Sequence, residues 1–223
     1  LVGSEMCIRD RPMNCFENVM IVGLTGQSGA GKTTVCRVFE QNGFTIINAD
    51  LVARKVTVKG SPCLKELCEF FGQHILFEDG SLNRRLLGDI VFADKKKLEL
   101  LNSVTYPYIT SEILETIRRC SNKGHKLILL DAPTLFESRT DDFCELIISV
   151  ISREDLRIKR IMERDSISRE SAQNRIDSQL KEEFFRNNSD FIIKNNGNME
   201  NLFDVAKEVS DKIRDYYNNK YNC

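Results

Sequence analysis

Lys32 and Thr33 close the segment Gly26-Gln27-Ser28-Gly29-Ala30-Gly31-Lys32-Thr33, which fits the spacing G-x-x-x-x-G-K-[ST] in full. Glycines at that spacing let successive backbone N–H groups turn inward around a polyphosphate, and the positive end of a following helix adds to the field. In this pattern Gly26, Gly29, Ala30, Gly31, Lys32, Thr33 and Thr34 line the phosphates. Lys32 reaches the β- and γ-phosphates, and the Thr33 hydroxyl is placed to ligate Mg²⁺. The plain alternative is a glycine-rich turn with an incidental Lys-Thr. The flanks argue against it: an apolar run, Val19 to Leu24, precedes the segment, and Val35, Val38 and Phe39 follow at helical spacing until Gly43. Buried parallel strand, loop and helix are thus in register, and the pattern implies binding of a nucleoside triphosphate.

Phosphoryl transfer also needs a base for the attacking hydroxyl and cations for the moving charge. Asp50 ends the second apolar run, Phe44 to Asn48, at the sheet edge where open α/β folds bind ligands, and beside the loop strand if the sheet winds as expected. It is a candidate base, or it only caps a helix starting at Leu51; spacing does not separate the two. Arg54, one turn further on, shares its face and either clamps a substrate phosphate or pairs with Asp50. Arg160 and Arg164, four apart, can brace a phosphoryl group, although an arginine-rich helix usually presents such residues to water. Asp131 closes a third apolar run where a carboxylate would hold Mg²⁺ directly or through water. Arg84 and Arg85 are adjacent on a helix, so at most one of them points at an anionic substrate group.

The elements that must position these groups alternate: apolar β-rich runs with helical patterns, as in a mostly parallel sheet covered on both faces. Strands are expected near residues 19–24, 44–48, 126–131, 145–151 and 191–193. Between the second and third lies an all-helical stretch, with Ser61-Pro62 opening one helix and Gly72 closing it. Further helices are expected around Leu87 to Val91, from Asp94 through Leu101, and from Pro107 to about Cys120. Ser152-Arg153-Glu154-Asp155 resembles a capping box, opening a helix that turns Ile158, Ile161 and Met162 inward and Arg157, Arg160 and Arg164 elsewhere. Ser168 caps a second helix through Ile176 and Leu180, and the pair reads as a lid. A last helix carries Leu202, Val205, Val209 and Ile213 at core spacing. The resulting division is a kinase core over 19–58 and 125–223, a helical insertion over 59–124, and a lid over 164–182.

Composition narrows the classes. With 223 residues and a formal net charge of -1, the chain suits one α/β domain with an insertion and carries no global footprint for nucleic acid. No apolar stretch approaches the ~20 residues of a membrane span. Eight scattered cysteines with no C-x-x-C pair, and only two histidines, favour reduced thiols in a cytoplasmic protein over zinc or disulfides. Residues 1–12 have neither signal-peptide nor amphipathic character and read as a leader foreign to the fold.

The ordered set of motifs resembles the dephospho-coenzyme A kinase family. The segments that carry it are Gly23-Leu24-Thr25-Gly26 with the loop through Thr34, Ile47 to Arg54, Phe71-Gly72, and Asp79 to Arg85. Val91-Phe92, Asp131-Ala132-Pro133-Thr134-Leu135-Phe136-Glu137, Arg160 to Asp165, Gln179 and Asn195-Asn196-Gly197 complete it. The resemblance implies a nucleoside-monophosphate-kinase-like P-loop fold, three layers α/β/α around a five-stranded parallel sheet, with a helical substrate-binding insertion and a helical lid. It implies ATP and Mg²⁺ acting on the ribose 3′-hydroxyl of dephospho-CoA, with Asp50 as base and Lys32 and Arg160 stabilising the transferred group. Thr33 and Asp131 would serve the metal, Arg164 the ATP phosphates, and Arg54, Arg84, Arg85 and Tyr106 the acceptor. No partner beyond these small molecules, and a monomer, are expected.

Three positions depart from the family's usual residues: Asn48 where Asp is usual, Tyr106 where His is usual, and Thr134 where Leu is usual and where packing behind the site would loosen. Other readings are a small kinase for a nucleoside monophosphate, a GTPase switch or a non-catalytic nucleotide-binding module. The switch would need an N-K-x-D segment after a strand, and Asn122-Lys123-Gly124-His125 precedes a strand and lacks the Asp.

Overall fold

A computed structural model describes residue 16 and residues 18–221; the reading of residues 1–12 as a leader lies outside them. Among the described residues five strands occur: β1 (Met20–Gly26), β2 (Thr45–Asn48), β3 (Leu127–Asp131), β4 (Leu146–Ile151) and β5 (Phe191–Lys194). The helices are α1 (Lys32–Gln41), α2 (Ala49–Val56), α3 (Pro62–Phe71), α4 (Arg84–Phe92), α5 (Lys95–Asn122), α6 (Glu154–Asp165), α7 (Arg169–Asp177), α8 (Glu182–Asn188) and α9 (Met199–Tyr221). The chain divides into two compact units: residues up to Ile47 joined with those from Cys120 onward, and Asn48–Arg119.

The first unit holds the sheet, in the order β2-β3-β1-β4-β5. β1 runs parallel to β3 on one side and to β4 on the other, and β4 runs parallel to β5. Every residue of β1 is buried, which a continuous apolar run permits and an alternating one would not. Met20, Val22 and Leu24 pack in one cluster with Val35, Val38 and Phe39 of α1 and Leu202, Ala206, Val209 and Ile213 of α9. Ile21, on the opposite face, is buried as well, so helices cover both faces in three layers. In α9 the core position expected of Val205 belongs to Ala206: Val205 is exposed, because the run 202, 206, 209, 213 tracks the apolar stripe more closely.

One expectation of the winding fails. β3 lies between β2 and β1, so the second strand is not beside the loop strand; Asp131, not the end of β2, is next to it. Pairing partners are chosen by packing across the sheet, and no local pattern encodes them.

The second unit is helical. Ser61 accepts from the Leu64 N–H and Pro62 opens α3, while Gly72 at φ 85° ends it, as its sequence indicates. Cys63, Leu64, Leu67 and Phe71 form a separate core with Ile75, Leu82, Leu87, Val91 and Val104. The two helices expected on either side of Pro107 are one 28-residue helix, α5, with the proline inside it. Burial of Val104, Thr105, Ile113 and Ile117 along α5 outweighs the one backbone bond that proline removes. No helix among the described residues is long and apolar enough to cross a membrane.

Candidate active site

The phosphate loop joins β1 to α1. Gly31, at φ 101°, N-caps α1 in the left-handed region, and no side chain caps it, so the first N–H groups of the helix keep their outward potential. Lys32 starts the helix, and its ammonium donates to Asp131 Oδ1; the two side chains are only 17% and 9% exposed. Asp131 is brought there by register, being opposite Leu24 in the β1–β3 ladder. A half-buried lysine and carboxylate thus neutralise one another next to the loop. Thr33 follows on the exposed side of the first turn, and the Thr34 hydroxyl lies 3.9 Å from the Met199 sulfur.

Cys36, one turn beyond Lys32, is buried, and its thiol is pushed up to about 12 by burial and then by the Asp131 carboxylate. It stays a neutral, unreactive thiol. The other described cysteines, 63, 68, 120 and 144, are also free.

The outer wall of the loop comes from α6 and from the end of β5. Arg160 donates to Gly29 O and Ser152 Oγ, both at 3.2 Å, and at 3.4 Å to Asn195 O. Asn195 Nδ2 donates to Ala30 O at 2.7 Å, and Ser152 Oγ donates to Asn195 O at 2.6 Å. Ser152 therefore does not form the expected capping box: the N-cap of α6 is Arg153, with no side-chain bond. The serine is drawn instead to the carbonyl of Asn195, just past β5.

Arg157, which the helical pattern turns away from Ile158, Ile161 and Met162, is nonetheless 4% exposed, with Nε on Ser28 O at 3.0 Å and Nη2 on Gln179 Oε1 at 3.1 Å. An arginine with backbone and amide acceptors can be buried, and nothing in its own helix reveals them. The local pattern around Gln179 and Asn195 gives no sign of these bonds, which only their distant partners reveal.

Arg164 points elsewhere. It holds Asp165 through two 2.8 Å bonds, Arg175 joins the same carboxylate, and this pulls the Asp165 carboxyl down to about 2. Ser166, at φ 52°, turns the chain between α6 and α7, and Ser168 caps α7 by accepting from the Ser171 N–H. Ile158, Ile161, Ala172 and Ile176 make a small core of their own. α7 ends at Asp177, so Leu180 is not part of it, and α8, which the sequence reading lacked, follows.

In the helical unit, Asp50 and Arg54 lie on α2. Asn48, not Asp50, caps that helix by accepting from the Leu51 N–H at 2.9 Å. A cap needs only the side-chain oxygen, which Asn and Asp share, so the Asn48 departure leaves it intact. Asp50 is exposed and has no cap to serve. Arg84, at the start of α4, donates to Arg54 O at 3.2 Å and Thr57 Oγ1 at 2.7 Å, tying down the end of α2. Burial, and then the positive Arg54, push its pKa down. Arg85 is exposed, and Tyr106 is half-buried on α5. Thr134 is exposed, so the expected loosening does not arise; Leu135, wholly buried, fills that core position.

A family model described as dephospho-CoA kinase matches residues 20–201, which take in all of the helical unit, most of the other and every site residue above. The chain belongs to the dephospho-CoA kinase family. A Listeria monocytogenes serotype 4b protein named dephospho-CoA kinase is 39% identical over 199 residues, 89% of this chain and 98% of that protein. One of the same name from Arabidopsis thaliana is 39% identical over 194 residues, covering 87% of this chain and 84% of that one. Among solved structures, a Thermus thermophilus protein superposes with TM-score 0.75 at 28% identity, covering 87% of this chain and 97% of that one. A dephospho-CoA kinase from Campylobacter jejuni gives TM-score 0.59 at 28% identity, covering 88% and 98%. The P-loop kinase fold of the dephospho-CoA kinases is therefore the fold of this chain.

Proposed function

We propose that this protein transfers the γ-phosphoryl group of ATP to the ribose 3′-hydroxyl of dephospho-CoA, giving CoA and ADP. The observation that carries the reading is the complete phosphate loop with Lys32 held by Asp131, in a chain of the dephospho-CoA kinase family.

Lys32 moves from Asp131 to the β- and γ-oxygens when ATP binds. The Thr33 hydroxyl and the Asp131 carboxylate are hard oxygen donors in one neighbourhood, the ligand class that Mg²⁺ prefers, and they would hold it. Bound Mg²⁺ neutralises charge on the phosphate oxygens. Asp131 thereby keeps a cationic neighbour whether nucleotide is present or not. Arg160, fixed against Gly29 and Asn195, presents its guanidinium to the transferring group, and Arg164 serves the phosphates after leaving Asp165. Asp50 takes the proton of the 3′-hydroxyl as its oxygen bonds to the γ-phosphorus; the bond to the β-bridging oxygen breaks and ADP leaves with that electron pair. Arg54, Arg84, Arg85 and Tyr106 contact the acceptor, the helical insertion over 59–124 binds it, and residues 164–182 act as a lid. On this reading the protein acts on small molecules as a monomer in the cytoplasm, a compartment that its free thiols and a need for ATP would suit.

The test is mass-spectrometric detection of CoA from Mg-ATP and dephospho-CoA with the parent and Asp50→Asn. Product from the parent, cut on the order of 10²–10⁴-fold in the variant, is expected for loss of a general base. Equal rates would remove Asp50 from that role. No product from a parent that still binds ATP would refute the acceptor.

A further inference from the structure

The phosphate loop of this chain is locked from outside by a group that family membership does not assign. Gln179 Oε1 accepts from the Ser28 N–H at 2.9 Å and from Arg157 Nη2 at 3.1 Å, while Arg157 Nε donates to Ser28 O at 3.0 Å. One side-chain oxygen and one guanidinium therefore take the N–H and the C=O of the same loop residue. Ser28 is thereby spent on structure: its N–H is turned to Gln179 and is not offered to phosphate. Beyond it the Ala30 N–H donates to Gln27 O at 3.1 Å, and the peptides of Gly31, Lys32 and Thr33 are placed to form the anion cradle.

Gln179 lies just past α7, and its own N–H is fixed on Ile176 O at 3.1 Å. Arg157 is buried, and among the described residues its hydrogen bonds go to Ser28 O and Gln179 Oε1, which replace water and make that burial tolerable. Removing the Gln179 oxygen would leave the Ser28 N–H without its acceptor and Arg157 with one fewer, so Ser28 would sample other conformations. Ordering a flexible loop residue at the moment of binding costs affinity, and a loop ordered in advance avoids that cost.

We propose that Gln179 is a positioning residue for the nucleotide: through Ser28 and Arg157 it holds the phosphate loop in its binding conformation before ATP arrives. The inference rests on the proposed kinase function only in taking ATP as the ligand of the loop.

The test is equilibrium binding of a fluorescent ATP analogue to the full chain, with Gln179→Met, which keeps length and volume but removes the amide oxygen, and Gln179→Glu, which keeps an acceptor for both donors. Binding is measured beside the thermal midpoint and beside the KM values for ATP and dephospho-CoA. Gln179→Met is expected to weaken nucleotide binding by roughly 5- to 30-fold, the span of one or two hydrogen bonds. The KM for ATP should rise with it and the KM for dephospho-CoA should not. Gln179→Glu should stay within about threefold of the parent. Nucleotide affinity unchanged in a folded Gln179→Met would overturn the proposal. So would a folded Gln179→Glu that binds at least about fivefold more weakly than the parent, since the hydrogen bonds would then not be what matters; this arm is read against the parent and stands should Gln179→Met not fold. A parent that binds the analogue but makes no CoA would sink the acceptor assignment and leave this binding test standing.

Discussion

Replacing Gly26 by alanine should destabilise the protein far more than the same change at Gly124, although both glycines have positive φ. At Gly26, φ is 143° and an added Cβ would lie 2.2 Å from Val150 O and 2.7 Å from Val150 N. Restoring ordinary contact requires the two backbones to part by about 1 Å, and β4 cannot simply give way. Val150 is opposite Gly26 in one ladder and Ile193 in the other, is wholly buried, and accepts the Gln27 N–H at 3.0 Å. Backbone strain of about 1–3 kcal/mol, a weakened hydrogen bond of about 1 kcal/mol and overpacking of about 1–3 kcal/mol put the cost at roughly 3–7 kcal/mol. At Gly124, φ is 84° but nothing lies within 4 Å of the added carbon, so only the left-handed strain of about 1–2 kcal/mol remains. For a chain of this size each kcal/mol is about 2–4 °C, so Gly26→Ala should melt roughly 6–28 °C below the parent and Gly124→Ala roughly 2–8 °C below. Urea unfolding without nucleotide is the assay, because bound ligand would add its own stabilisation. If Gly26→Ala costs no more than Gly124→Ala, the close approach of β1 to β4 is not what demands a glycine there.

Asp165, held below its ordinary range by Arg164 and Arg175, contributes stability that is present above its unfolded pKa near 3.8 and is lost as pH falls toward about 2. Partly screened, it should contribute on the order of 1 kcal/mol at neutral pH. The difference in unfolding free energy between the parent and Asp165→Asn should therefore shrink as pH falls from about 5 toward 2, and a difference independent of pH would contradict the ion-pair account. Cys36, pushed up to about 12, should resist iodoacetamide in the folded protein while the half-buried Cys120 reacts, as read by peptide mass spectrometry. Labelling of both at one rate would show that the Lys32–Asp131 neighbourhood is open to reagent.

What could be read in the residues alone was what neighbours in sequence decide. The phosphate loop is eight consecutive residues, β1 is one apolar run, and Ser61-Pro62 with Gly72 bounds α3 through contacts within a turn. Resemblance over ordered motifs supplied the family. What needed the tertiary structure lies between residues far apart. Lys32 meets Asp131 99 positions away, and Arg157 meets the Ser28 carbonyl 129 positions away. The insertion of β3 between β2 and β1, the continuity of α5 through Pro107 and the burial of Arg157 all run against local expectation. A helix tolerates a proline when enough of its apolar face is buried. An arginine enters a core when acceptors from elsewhere meet its guanidinium, and a strand takes the neighbour that buries both its faces. Each of those acceptors and faces belongs to another part of the chain, and folding alone brings it near.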